Sequence, residues 1–224
     1  MNDPKLKAWL WFAVNLGLVA LALFLSAGTL AYWRAWIFLA VVAVSSIPLT
    51  LYIINNPLLL GNRTKAGPVA EQRPVQKIIV LCLVVTMIAA FVVPGLDRRF
   101  GWSNVPPWLS AAGDVLVVVA IWMAYRVFKE NSFGSATVEV AKDQRVISTG
   151  PYAIVRHPMY SSAAAYFVGA PLALGSFWGL IPALLAILGL VVRLFDEERF
   201  LAENLAGYTD YCAKVRWRLA PGIF

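Results

Sequence analysis

Residues 8–30, AWLWFAVNLGLVALALFLSAGTL, decide the fold class of this chain. The run contains no Asp, Glu, Lys or Arg. A helix of about 20 apolar residues crosses the roughly 30 Å hydrocarbon core of a bilayer, because each residue adds about 1.5 Å. The run also exceeds the roughly 7–15 apolar residues of a typical signal peptide. We therefore expect a retained first transmembrane helix here.

Similar apolar runs recur along the chain, at 33–55, 76–95, 107–127, 158–175 and 177–195. The last two meet at Gly175-Ser176, which predicts a tight C-terminal helical hairpin. The composition agrees, since 60% of the 224 residues are hydrophobic and 14% are charged, against roughly 25% charged in soluble domains. The sequence predicts an all-α integral membrane protein with about six transmembrane helices. A cytosolic interfacial helix is expected over 196–214.

The basic residues predict the orientation in the membrane. With the N-terminus in the cytosol, every Lys and Arg except Arg34, Arg98 and Arg99 falls on the cytosolic side. This asymmetry is the positive-inside pattern. It predicts a multi-pass membrane protein whose N-terminus, active site and C-terminus are cytosolic, located in the plasma or inner membrane if the organism is a prokaryote. The net charge of +7 then faces anionic lipid headgroups and implies no nucleic-acid partner.

The usual motifs of metal and nucleotide sites are missing from the sequence. Cys82 and Cys212 provide neither a disulfide framework nor a zinc spacing. The sequence also lacks the GxSxG, Walker and GxGxxG patterns. We therefore expect no metal and no Rossmann domain.

The stretch GPYAIVRHPMY at 150–160 holds the single histidine of the chain, His157. Gly and Pro predict a turn, and Pro158 forces the residue before it out of helical geometry. Two interpretations remain open for Arg156, His157 and Tyr160 at the mouth of the fifth span. They form either an aromatic and basic anchor at the headgroups or one wall of a binding site.

A second cluster ends the sixth span. Arg193 and Glu197 are four residues apart and share a helix face. Arg193 directly follows an apolar run, where a charge costs about 2.5–3.5 kcal/mol unless it reaches water or a partner. Either Arg193 extends to the interface, or it belongs to a site together with Glu197 and Glu198. Aromatic faces and carboxylates together suit a sulfonium or ammonium ligand.

Four segments together resemble the isoprenylcysteine carboxyl methyltransferase family, which is related to the membrane phospholipid methyltransferases. The segments are GPYAIVRHPMY at 150–160, Arg193-x-x-x-Glu197-Glu198, Gly207-Tyr208-x-x-Tyr211, and Arg216-x-Arg218-Leu219-x-Pro221-Gly222. The resemblance covers about residues 131–224. It implies an S-adenosylmethionine-dependent enzyme whose acceptor arrives from the bilayer. Residues 1–130 are then N-terminal transmembrane helices and 131–224 the cofactor-binding core of one membrane domain.

The resemblance also implies roles for individual residues. Glu197 is expected to pair with the methionyl ammonium of the cofactor. Arg193 is expected to bind the acceptor and act in catalysis. Glu198 is a second catalytic candidate, or it supports residues of the site without contacting the ligand. The expected cofactor-binding residues are Gln144, Arg145, Val146, Ile147, Tyr152, His157, Pro158, Met159, Tyr160 and Glu197.

The acceptor remains open at this point. A carboxylate needs no general base, so carboxyl O-methylation of an isoprenylcysteine-like lipid is the leading hypothesis. An amine acceptor would need deprotonation, with His157 or Glu198 as the base, and the alternative is a phospholipid or amine N-methyltransferase. A second alternative is an NADPH-dependent membrane sterol-type reductase, and a third is a transporter or scaffold. The expected partners are a lipidic acceptor and membrane lipids.

Overall fold

The chain folds as a set of packed helices, seen in a computed structural model that describes residues 4–64, 71, 73–131 and 145–224. A 3₁₀ turn covers Gly150–Ala153. No strand occurs in the described residues, which confirms the all-α class. The helices are α1 Pro4–Ala27, α2 Trp33–Ile54, α3 Pro57–Thr64, α4 Pro74–Phe100, α5 Pro107–Glu130, α6 Pro158–Ala173, α7 Leu180–Asn204 and α8 Tyr208–Lys214.

Four of these helices are long and apolar enough to cross a membrane. They are Lys5–Ala27, Trp33–Ile54, Pro74–Phe100 and Pro107–Glu130, and they correspond to the first four predicted spans. Their outward faces carry exposed apolar side chains such as Trp11, Leu25, Val44 and Ile78. Such surfaces are unfavourable in water and suit contact with lipid. The fold is therefore that of an integral membrane protein.

The fifth and sixth predicted spans correspond to α6 and α7. Helix α6 has 16 residues, about 24 Å at 1.5 Å per residue, which is shorter than a roughly 30 Å bilayer core. Helix α7 is longer but contains Arg193, Asp196 and Glu197 in its C-terminal half. The two helices are in contact and are connected by residues 174–179. The count of six spans and the membrane hairpin stay predictions.

Helices α5 and α6 form the most extensive contact in the molecule. Two glycines allow their backbones to approach closely. A Cβ atom added to Gly113 would lie 2.4 Å from the backbone nitrogen of Ala173, and one added to Gly169 would lie 2.9 Å from the Gly113 oxygen. Small residues at such crossings let membrane helices pack tightly. This packing fixes α6, whose first turn contains Tyr160 and directly follows His157.

A continuous core connects the N-terminal helices to α6. Residues buried in it come from α1, α2, α4 and α5 and from the end of α6, and they include Leu23, Phe38, Phe91, Val117 and Ala173. The N-terminal helices therefore hold α6 in place. The predicted boundary at residue 130 separates two parts of one packed unit.

Candidate active site

The loop before α6 is held by the C-terminal segment of the chain. His157 has φ −123° and ψ 62°, the non-helical geometry expected before Pro158. The backbone N–H groups of Arg156 and His157 donate to the carbonyls of Trp217 and Arg218, both at 2.9 Å. Ser161 Oγ donates to the carbonyl of Leu219 at 2.6 Å. The tail thus fixes the orientation of the imidazole at the start of α6.

Glu198 on α7 receives three side chains from this loop and tail. Its Oε1 lies 3.1 Å from Arg156 Nη1 and 3.3 Å from His157 Nε2, and its Oε2 accepts from Arg218 Nε at 3.0 Å. Burial alone would raise the pKa of this carboxyl. The hydrogen bonds from His157 and Arg218 and the Arg156 charge outweigh burial, and they hold the pKa below its usual value. Glu198 therefore stays ionised and ties α7 to the loop.

Tyr160 joins the second half of the cluster. Its hydroxyl donates to Glu197 Oε2 and accepts from Arg193 Nε at 3.1 Å. The structure therefore brings together the α6 and α7 residues that the sequence predicted separately. Within the described parts of the chain, Glu197 forms no ion pair, and the phenol is its hydrogen-bond partner. This carboxylate is thus available for a cation.

Arg193 is paired with a residue that the sequence analysis did not single out. Its Nη2 lies 2.8 Å from Glu71 Oε1, and the two side chains are 8% and 2% exposed. Arg193 therefore does not extend to water but is neutralised inside the protein. Glu71 lies between the predicted spans 33–55 and 76–95, and the sequence offers only its charge as a signal. The pairing depends on how α4 packs on α7.

The imidazole of His157 stacks on the ring of Tyr160. The ring centroids are 5.5 Å apart and the planes differ by 6°. The stack places an aromatic surface directly beside Glu197 and Glu198. Aromatic faces next to carboxylates attract sulfonium and ammonium groups.

Helix α8 closes another side of the site. Tyr211 Oη donates to the carbonyl of Tyr152 at 2.8 Å, and Val146 packs on the apolar cluster of Leu205, Tyr208, Tyr211 and Val215. Burial raises the pKa of both α8 phenols above the ordinary value, so both stay protonated. The Tyr208 hydroxyl is buried and has no hydrogen-bond partner among the residues that the structure describes. The sequence showed this residue only as part of the Gly207-Tyr208-x-x-Tyr211 motif.

The remaining predicted residues lie on the same segments. Pro158 is buried at the first position of α6, and Met159 follows it half-buried. Arg145 is exposed and Ile147 half-buried. Gln144 lies outside the described residues. Among the residues that the structure describes, no group of three His, Cys, Asp or Glu side chains is placed to hold a metal.

Comparison with known families adds an independent finding. The family model described as phospholipid methyltransferase matches residues 108–207. The match indicates a membrane methyltransferase. The matched region runs from α5 to the start of α8 and contains His157, Tyr160, Arg193, Glu197 and Glu198. A comparison with curated proteins finds no significant match.

The match agrees with the broader prediction drawn from the sequence. Phospholipid methyltransferases generally use S-adenosylmethionine and act on lipids. This supports the predicted enzyme class, methyl donor and kind of acceptor. The narrower resemblance to isoprenylcysteine carboxyl methyltransferases stays a prediction, and so do the roles of individual residues.

Proposed function

We propose that this protein is an S-adenosylmethionine-dependent methyltransferase acting on a lipidic or membrane-dissolved acceptor. The observation that supports the proposal is the environment of the Glu197 carboxylate. Its carboxylate is half-buried, is held by the Tyr160 phenol and has no ion-pair partner among the described residues. A desolvated carboxylate without a cation is unfavourable. A ligand ammonium would relieve that cost.

The residues present fit S-adenosylmethionine by their chemistry. Glu197 would take the methionyl ammonium. The Tyr208 hydroxyl, which has no partner among the described residues, would donate to an acceptor atom of the ligand. The His157–Tyr160 stack offers an aromatic surface for positive charge. Val146 and Tyr152, both tied to α8, would complete the wall opposite α7. When bound, this cofactor supplies a methyl group that its sulfonium has already activated.

The protein itself then has three tasks: to orient the acceptor, to exclude water and to balance charge. Glu198 holds the loop against α7 through Arg156, His157 and Arg218. Because the carboxyl of Glu198 is kept ionised by these partners, we assign it a positioning role. Arg193 lies on the same face of α7 as Glu197 and would orient the acceptor.

A carboxylate acceptor is the first candidate, in line with the resemblance to isoprenylcysteine carboxyl methyltransferases. It would reach Arg193 by sharing or replacing the Glu71 contact. Such an acceptor is anionic at neutral pH and needs no base.

A phospholipid amine is the second candidate, favoured by two observations. The family model that matches is that of the phospholipid methyltransferases, and Glu71 already neutralises Arg193. An acceptor without negative charge leaves that pair intact. In this case His157 would be the candidate base, since the lowered pKa of Glu198 makes its carboxylate a weak proton acceptor.

One experiment separates the candidates. Purified protein is incubated with labelled S-adenosylmethionine and either phosphatidylethanolamine or a prenylcysteine analogue, and the methylated product is identified by mass. Label in the prenylcysteine ester supports the first candidate, and label on the lipid amine supports the second. If neither accepts a methyl, a total lipid extract replaces them. Thermal stabilisation by NADPH, with none by S-adenosylhomocysteine, would contradict the proposal.

A further inference from the structure

A polar cavity lies at the end of the helices opposite the candidate active site. Its volume is about 280 Å³. It is formed where α2 begins, where α4 ends and where the chain turns after α6. The length of α6, about 24 Å, separates it from His157. The lining residues that matter here are Tyr32, Arg34, Asp97, Arg98, Ser103 and Gly175.

The acidic residue of this cavity is already satisfied by neutral donors. Asp97 is buried and accepts from the Ser103 backbone N–H at 2.7 Å and from Ser103 Oγ at 2.6 Å. Ser176 Oγ donates to the same carboxylate. A carboxylate held in this way has little capacity left for a ligand cation. Asp97 therefore shapes the cavity and, within the described residues, forms no ion pair with its arginines.

Arg34 has no acidic partner among the described residues. Its Nη2 donates to the carbonyl of Val105 at 2.6 Å, but its Nε is buried and has no hydrogen-bond partner in the described part of the chain. Gly175 has φ +77°, and a Cβ there would lie 2.1 Å from Arg34 Nη1. The glycine thus makes room for the guanidinium against the turn after α6. A buried guanidinium N–H without an acceptor is costly.

Arg98 supplies the second guanidinium. It is exposed and makes one long contact, 3.4 Å from Nη2 to the carbonyl of Ala31. Neither Arg34 nor Arg98 takes part in an ion pair within the described ranges of the chain. The cavity wall therefore carries two guanidinium charges against one carboxylate, which leaves it with a net positive charge. Its chemistry is that of an anion receptor.

The surrounding side chains place this cavity at the level of lipid headgroups. Tryptophans are enriched where a membrane meets water. The chain exposes a set of them around this end of the helices: Trp33, Trp36, Trp102, Trp108 and Trp178. The anion that is abundant at this depth is the phosphate of membrane lipids.

We propose that the cavity binds the phosphate group of an anionic membrane lipid, one per protein. Arg34 and Arg98 together contact the phosphate oxygens, which guanidinium groups bind in a forked geometry. The exposed tryptophans flank the rest of the lipid. This site is independent of the proposed methyltransferase function, because it lies at the other end of the helices.

The test measures lipid binding by the full chain in detergent. Short-chain phosphatidylglycerol, phosphatidylcholine with the same chains and inorganic phosphate are titrated separately, and thermal unfolding is followed. Phosphatidylglycerol is expected to stabilise the protein at concentrations at which the other two have no effect. Arg98→Gln is expected to weaken its apparent affinity at least tenfold, because one charge-assisted contact is lost. Arg34→Gln/Arg98→Gln is expected to remove the effect.

Arg99→Gln is the matched control. It removes the same charge from the neighbouring residue, which does not line the cavity, and should leave the affinity unchanged. Equal weakening by Arg98→Gln and Arg99→Gln would show a general surface-charge effect and overturn the proposal. Equal stabilisation by phosphatidylcholine would also overturn it. Saturable stabilisation by inorganic phosphate would show that the cavity binds soluble phosphate and not a lipid. If the double variant does not fold, the single Arg98→Gln variant decides.

Discussion

Glu197 and Glu198 are adjacent in sequence but have opposite surroundings. Glu198 is held by Arg156, His157 and Arg218, whereas Glu197 is held by the Tyr160 phenol alone among the described residues. Consecutive helix residues point about 100° apart, so one faces the loop and tail while the other faces the Tyr160 side. This difference assigns a positioning role to Glu198 and a binding role to Glu197.

Glu197→Gln should therefore abolish most cofactor binding while the fold persists. A hydrogen bond to a charged group contributes about 1.5–3 kcal/mol, so the affinity for S-adenosylhomocysteine should fall at least tenfold. Isothermal titration in detergent measures it. Glu203→Gln is the control, since Glu203 is exposed on the same helix and should bind normally. Unchanged affinity in Glu197→Gln would remove the main support for the proposed function.

Arg193→Ala should spare cofactor binding and abolish turnover, at a cost in stability. The change leaves Glu71 as a buried carboxylate without its arginine, and removing one partner of a buried ion pair costs about 3–5 kcal/mol. The double variant Glu71→Gln/Arg193→Gln should recover much of the melting temperature without recovering turnover. If the double variant melts at the same temperature as Arg193→Ala, the unpaired Glu71 carboxylate does not account for the loss of stability.

Glu198 should make the protein sensitive to acid. Its pKa lies below the ordinary value of 4.5 in the folded state. A lowered folded-state pKa contributes stability that is complete above the unfolded-state pKa and is lost as the pH falls through the folded-state pKa. The stability difference between the wild type and Glu198→Gln should therefore shrink as the pH falls below about 4.5. Melting temperatures between pH 7 and pH 3 measure it, and Glu203→Gln should show no such trend.

At the scale of elements, the close α5–α6 contact is the feature that positions the site. It depends on glycines at the crossing and was not predicted, because the apolar pattern of a membrane span does not show which face meets another helix. The four long spans were predictable from length and hydrophobicity alone. Helix α4 nevertheless continues to Phe100, beyond the predicted end at 95, and Ser103 and Ser176 donate to its buried Asp97.

Gly169→Leu should destabilise the protein and weaken cofactor binding together. Atoms added at Gly169 meet the Gly113 backbone and the side chain of Val117, and overpacking costs about 1–3 kcal/mol. The displaced α6 carries His157 and Tyr160 with it. Gly17→Ala is the contrasting control, because a Cβ there meets no atom within 4 Å. A Gly169→Leu protein with an unchanged melting temperature would contradict the importance of this crossing.

At the scale of the whole molecule, two charged regions lie at opposite ends of the helices. One contains Arg193, Glu197 and Glu198, and the other contains Arg34 and Arg98. The asymmetry of basic residues predicted this separation, and the topology agrees, since α6 runs from the first region to the second. The pairings inside each region were not predictable. The Glu71–Arg193 contact spans 122 positions of the sequence and depends on tertiary packing.

The predicted orientation can be tested with single cysteines in a Cys82→Ser/Cys212→Ser background. Asn104 and Thr209 are exposed near opposite ends. In intact cells, an impermeant thiol reagent should label Asn104→Cys and should reach Thr209→Cys only after permeabilisation, because the basic end faces the cytosol. The reverse labelling pattern would show that the protein has the opposite orientation in the membrane.

The backbone hydrogen bonds from Arg156 and His157 to Trp217 and Arg218 also determine when the loop can reach its final structure during synthesis. The ribosome makes residues 217 and 218 after all of the helices α1 to α8. These helices can therefore be made and begin to pack while the loop before α6 still lacks its partners. The loop acquires its final geometry only after residues 217 and 218 have been made.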